Sequence, residues 1–214
     1  MGKTALIFWG GWDGHTPERS AAIVRDMLAV NGFDIAVHEG TAILASADLA
    51  AFDLIVPMVT MSAIEKPELD ALIHAVRAGT GLAGFHGTMG DSFRNETEYQ
   101  FMVGGQWVSH PGNIIDYTVE ITRPDDPVMQ GIGSFPYRSE QYYMHVDPSN
   151  EVLATTTFSG AHLAFIEGVV MPAVWKRRYG KGRVFYSSLG HTADEFAVPE
   201  MRAIFERGAI WAAR

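Results

Sequence analysis

Cysteine is absent from the 214-residue chain. Disulfides, thiolate metal ligands and a cysteine nucleophile are thereby excluded, and the composition fits a reducing compartment. Positive charge is scarce: 16 Lys and Arg stand against 25 Asp and Glu, for a net charge of −9. Neutralising a phosphate backbone or an anionic bilayer takes a basic surface, so neither nucleic acid nor a membrane is an expected partner. Long apolar runs are missing as well. Residues 4–9 before Gly10 and Gly11 are too few for a signal segment or a span, and no later stretch approaches the roughly twenty apolar residues of a membrane helix. A soluble, cytoplasmic protein is the expectation.

What is present suffices for a core. At 47% hydrophobic residues, the length suits a single domain over 1–214. Residues 5–9 read as a fully buried strand, Thr16 as a helix N-cap through its hydroxyl, Pro17 as the first helical residue, and Asn31 with Gly32 as the helix end. Strands follow at 33–37, 53–59 and 81–85, with an amphipathic helix over 65–78 ending near Gly79. A short helix over 96–103 precedes an irregular, shaped loop over 104–112. Strands at 117–121 and 152–157, an antiparallel hairpin of 171–178 with 183–187, and a helix over 199–211 complete the pattern. Alternating strands and helices of this kind predict a three-layer, flavodoxin-like α/β fold. Its sheet should be mostly parallel, covered by helices on both faces and carrying an antiparallel late hairpin. The basic cluster of Lys176, Arg177, Arg178, Lys181 and Arg183 falls in that hairpin and reads as a solvated strand edge. Ile204, Phe205 and Trp211 on the last helix offer a dimer face or a core face.

A dinucleotide site fails on spacing. Gly10, Gly11 and Gly14 do not make G-x-G-x-x-G, and Trp12 and Asp13 occupy the place where bare backbone would meet a pyrophosphate. The informative turn lies at residues 82–90, where an apolar strand stops at His86 between Gly84 and Gly87. Small residues on both sides let the backbone bend sharply and present one side chain at the carboxyl edge of the sheet. A helix-compatible segment follows a few residues later. Other histidines recur in comparable places: His15 after the first strand, His110 in the irregular loop, and His191 after the last strand, offered by Gly190. Glu140 stands with Tyr142 and Tyr143 between them, and Trp107 accompanies His110. Strand ends of a parallel sheet converge on one edge, so these residues can share a pocket. His74, on the helix over 65–78, reads as a packed or surface residue.

The motifs Gly84-Phe85-His86-Gly87, Gly104-Gly105 with His110-Pro111, Asp126-Pro127-Val128 with Gly131-Ile132, Glu140-Gln141-Tyr142, and 179–186 leading to Leu189-Gly190-His191 occur in order along nearly the whole chain. In this ordered set the chain resembles the ThuA-like family, named for trehalose utilisation, within the class I glutamine amidotransferase-like fold. The resemblance implies a carbohydrate-related role, with a sugar as ligand and a sugar oxidoreductase as a pathway partner. Amidotransferase relatives carry cysteine at the elbow where this chain has His86. No thioester can form, so glutaminase activity is not inherited with the fold.

Three readings follow from these residues. In the first, an isomerase, lyase or hydrolase acts on a sugar or keto-sugar. His86 and His191 serve there as base and acid, and Glu140 orients or shares the work. His15, Trp107, His110, Tyr142 and Tyr143 would then bind substrate through ring faces and polar atoms. In the second, a divalent metal such as zinc is held by His86, His110, Glu140 and His191. In the third, the chain is a non-catalytic sugar-binding partner of an oxidoreductase. A homo-oligomer is compatible with all three.

Overall fold

The structure, a computed structural model, describes residues 2–214. Alternation along β1 (Lys3–Gly11) sets the layers. Ala5 and Ile7 enter one apolar cluster, Leu6 and Phe8 another, and all four are fully buried, as in a strand covered on both faces. α1 (Pro17–Val30) begins at Pro17, where a missing N–H costs nothing, and buries Ala21, Val24, Met27 and Leu28 on the first face. The chain returns as β2 (Phe33–Glu39), makes the single turn α2 (Ile43–Ser46) and enters β3 (Leu54–Thr60), buried at every position. α3 (Lys66–Ala78) opens with a reciprocal capping box between Glu65 and Glu68 and packs Leu69, Leu72, Ile73 and Val76 on the second face.

β4 (Gly81–Phe85) runs directly into the short α4 (His86–Gly90), and α5 (Thr97–Val103) joins α3 on the second face. β5 (Gly105–Ser109), β6 (Ile114–Ile121), β7 (Phe135–Glu140), β8 (Tyr143–Val146), β9 (Glu151–Thr157), β10 (Val170–Tyr179) and β11 (Gly182–Ser187) follow. α6 (Pro199–Ala212) closes the first face with Ile204, Phe205 and Ala209.

The main sheet has nine strands in the order β2-β1-β3-β4-β11-β10-β9-β6-β7, and β5 pairs with β8 in a separate ribbon. From β2 to β11 neighbours run parallel; from β10 to β7 they run antiparallel. The flavodoxin-like α/β architecture is therefore as expected, with an antiparallel part that extends well beyond one hairpin. The carboxyl ends of β1, β3, β4 and β11 share one edge. The β3–β4 ladder stops at Ile55 with Leu82, just before Pro57, which has no N–H to offer. α4 packs against β3 above that point, and the Ser92 hydroxyl donates to the Val59 carbonyl at 2.5 Å.

Several local expectations are corrected. The segment 104–112 is not irregular throughout: Gly105–Ser109 is a strand, because Tyr143–Val146, distant in sequence, supplies its ladder. A strand at Phe135–Glu140, masked in the sequence by Pro136, pairs with β6 at the edge of the sheet. The turn after β4 needs no spacer, since the helix starts at His86 itself. The Thr16 hydroxyl makes no cap bond within α1; it accepts the Ala193 N–H at 2.9 Å, tying the start of α1 to the chain after β11.

The basic cluster is a solvated edge only in part: Arg178 and Lys181 are exposed, but β10 has neighbours on both sides and buries Lys176 and Arg177. Lys176 pairs with Asp126, and Arg177 bonds Asn150 at 3.0 Å and Asp147 at 3.4 Å. Ile204 and Phe205 are core residues rather than a dimer face, and Trp211 is half-buried beneath Lys176. Among the described residues no helix is long and apolar enough to cross a membrane.

Candidate functional site

Three histidines follow the carboxyl ends of three parallel strands. His15 closes a short 3-10 turn after β1, His86 begins α4 after β4, and His191 follows β11. Glu140 enters from the end of β7. One ligand atom from each of these four residues lies within 4.8 Å of the others. His86 sits at φ +44°, a left-handed conformation that aims its ring into the cluster. The neighbouring glycine permits this approach: a Cβ on Gly87 would stand 2.5 Å from the His15 ring.

Each imidazole is oriented from behind. Thr60, at the end of β3, bonds His15 Nδ1 at 2.8 Å, and the Tyr142 hydroxyl bonds His86 Nδ1 at 2.9 Å. These contacts leave the Nε2 atoms of both rings for the cluster. His86 Nε2 and His191 Nδ1 stand 3.4 and 3.1 Å from the same Glu140 Oε2. Neither pair has hydrogen-bond alignment, and both nitrogens are buried without a partner. Native proteins satisfy nearly all such atoms.

The cluster fits a metal on its donor chemistry. Two ligands of a tetrahedral ion with bonds of about 2.0 Å lie about 3.3 Å apart, close to both of these separations. Three imidazoles and one carboxylate suit a borderline divalent ion such as zinc. The electrostatics agree. Burial, reinforced by His191, lowers the pKa of His15 to about 4, and burial with the neighbouring histidines holds His86 well below its ordinary value. Burial alone would raise the Glu140 carboxyl, but His191, His110 and His15 hold it below its usual range. At neutral pH the rings of His15 and His86 are thus unprotonated and Glu140 is ionised, the forms that ligate.

A pH effect on folding follows. His15 titrates near 6.5 when unfolded and near 4 when folded, so its contribution is complete above 6.5 and disappears as the pH falls to about 4. On this group alone, metal-free protein should lose about 3 kcal/mol across that window, with His86 adding in the same direction. Urea denaturation of chelator-treated protein at pH 7 and pH 4.5 measures it; equal stabilities would contradict the assignment.

His15 and Glu140 of the cluster line a cleft of about 430 Å³ that is walled by Trp12, Trp107 and Tyr142. His110 lines the cleft with its side chain 29% exposed, its Nε2 3.7 Å from Glu140 Oε1. Arg94 stacks on Trp107 at 4.7 Å and grips Asp91 at 2.5 and 2.8 Å. Of the residues singled out in the sequence, His15, His86, Glu140 and His191 meet in the cluster, while Trp107, His110 and Tyr142 flank it. Tyr143 does not join them; its ring lies against Phe158. His15 rather than His110 joins the four residues that could hold a metal ion, and its position after a strand end was the available signal. Thr60, Asp91, Arg94 and Trp12 were not singled out for the site, since nothing local distinguishes them.

A family model described as ThuA, trehalose utilisation, matches residues 4–212. No curated protein matches the chain. Among solved structures, a ThuA-like protein from Bacteroides uniformis ATCC 8492 is 20% identical with a TM-score of 0.81, over 98% of this chain and 91% of that one. Another, from Parabacteroides merdae ATCC 43184, is 16% identical with a TM-score of 0.79, over 99% and 90%. A cytoplasmic protein from Salmonella typhimurium LT2 is 14% identical with a TM-score of 0.68, over 99% and 100%. At these identities the likeness concerns the fold.

Proposed function

Because the chain belongs to the ThuA family of trehalose utilisation, its role is a carbohydrate-related one, and within that role we propose an enzyme that processes a sugar or keto-sugar at a divalent-metal centre. His15, His86, Glu140 and His191 hold the ion in this reading. The observation that carries it is the pair of buried, unpartnered nitrogens, His86 Nε2 and His191 Nδ1, converging on one Glu140 oxygen. A divalent ion bound there would supply Lewis-acid polarisation of a sugar oxygen.

The chain's own residues do the rest. Trp12, Trp107 and Tyr142 offer ring faces to a sugar. Asp91 and Arg94 neutralise one another at the cleft wall, which suits an uncharged sugar. His110 reaches the cleft and lies beside Glu140, so it can exchange a proton with a bound hydroxyl or with a carbon next to a ketone. His86 is wholly buried and serves as a ligand rather than as the acid or base. A keto-sugar is the product of a sugar oxidoreductase, which is the partner activity this reading requires.

The test is turnover of keto-disaccharides followed by NMR, with untreated, chelator-treated and zinc-restored protein. We expect turnover that is lost on chelation and regained with zinc. Undiminished turnover after complete metal removal would refute the metal centre, and tight sugar binding without product would favour a non-catalytic partner.

A further inference from the structure

Glu140 and His191 come from strands that do not touch. β7 and β11 are separated in the sheet by β10, β9 and β6, so no ladder holds their ends in register. A second carboxylate, Glu195, spans the gap. It lies in the 3-10 turn Ala193–Ala197, outside the lining of the cleft. It accepts the Ser139 hydroxyl at 2.8 and 3.1 Å, the Tyr137 hydroxyl, and the His191 backbone N–H at 3.0 Å. The Tyr137 hydroxyl in turn accepts the Gly190 N–H at 3.2 Å. Burial, and after it the Glu195 carboxylate, pushes the Tyr137 hydroxyl far up, so it remains a donor to Glu195. Gly190 stands at φ +100°, and this contact fixes the turn that presents His191.

We propose that Glu195 is a positioning residue for the metal centre: through Ser139 and Tyr137 on one side and the backbone of His191 on the other, it sets the distance between Glu140 and His191. The inference rests on the metal reading of the site. Groups that orient metal ligands from outside commonly govern affinity by about 10–100-fold. Glutamine can replace Glu195 in this role. Its carbonyl can accept from Tyr137 and His191, and its amide can donate to the Ser139 oxygen, so the bridge survives without the charge.

Co2+ binding to the full chain, followed by titration and by the visible absorption of the bound ion, reads the effect. Glu195→Ala should weaken binding about 10–100-fold and alter the spectrum, whereas Glu195→Gln should stay close to wild type. An unchanged affinity and spectrum in Glu195→Ala would overturn the proposal even if its melting temperature falls, because the role would then be only structural. Loss in Glu195→Gln equal to that in Glu195→Ala would also overturn it. If Glu195→Ala does not fold, the double variant Ser139→Ala with Tyr137→Phe removes the Glu140 side of the bridge and takes the same criteria. If wild type binds no Co2+, the metal reading fails by itself. Crystal structures of the metal-free variants then decide the positioning role: a Glu140–His191 separation that widens from 3.1 Å in Glu195→Ala but not in Glu195→Gln supports it, and an unchanged one overturns it.

Discussion

At the proposed metal centre, His15→Ala should abolish divalent-ion binding, and His110→Ala should not. Both histidines lie near Glu140, and the sequence favoured His110 as the ligand. The structure separates them by burial and geometry. His15 is 4% exposed, its ring is held by Thr60, and its remaining nitrogen belongs to the four-atom cluster. His110 stands 3.7 Å from the other Glu140 oxygen and opens onto the cleft. Losing one of four ligands should cost more than loss of an outer partner, so we expect affinity to fall by at least about 100-fold in His15→Ala. His110→Ala should keep near-stoichiometric metal while losing turnover. Metal content by mass spectrometry and titration calorimetry distinguish the two variants. The reverse pattern would restore the set His86, His110, Glu140 and His191.

The largest effect expected on stability lies far from this cluster. Asp126→Ala should destabilise the fold by about 3–5 kcal/mol, because it leaves the Lys176 ammonium buried without its counter-ion. Glu151 compensates only in part, since its nearest oxygen is 4.0 Å away, its side chain is half exposed and it also pairs with Arg123. The same change frees the Val128 N–H, which Asp126 accepts at 2.9 Å. Lys176→Met with Asp126→Ala should recover part of the loss, since an apolar stem over the Trp211 ring carries no charge to desolvate. Urea denaturation of the three proteins measures this, and Co2+ binding should stay unchanged in all of them. A loss below about 1 kcal/mol in Asp126→Ala would mean that water reaches Lys176.

The parallel half of the sheet was legible because its signals are local. An apolar run such as β3, an amphipathic pattern such as that over 65–78, and a glycine-flanked histidine such as His86 announce themselves within a few residues. The antiparallel half was less so. β5 became a strand only through β8, and β7 carries a proline that argues against a strand when read alone. The basic run shows the same limit, since Lys176 and Arg177 are buried against Asp126 and Asp147, which are distant in sequence.

By itself, then, the sequence determined the α/β class, the absence of any cysteine nucleophile, and the placing of histidines at strand ends, because composition and short-range patterning decide these. Tertiary structure decided which of those histidines meet. His15 rather than His110 completes the cluster, Tyr143 turns away while Tyr142 orients His86, and Glu195 links strands that never pair. Those outcomes depend on strand order, twist and burial, which bring together residues as far apart as His15 and His191. No local rule encodes a distance between strand ends; packing the whole sheet does.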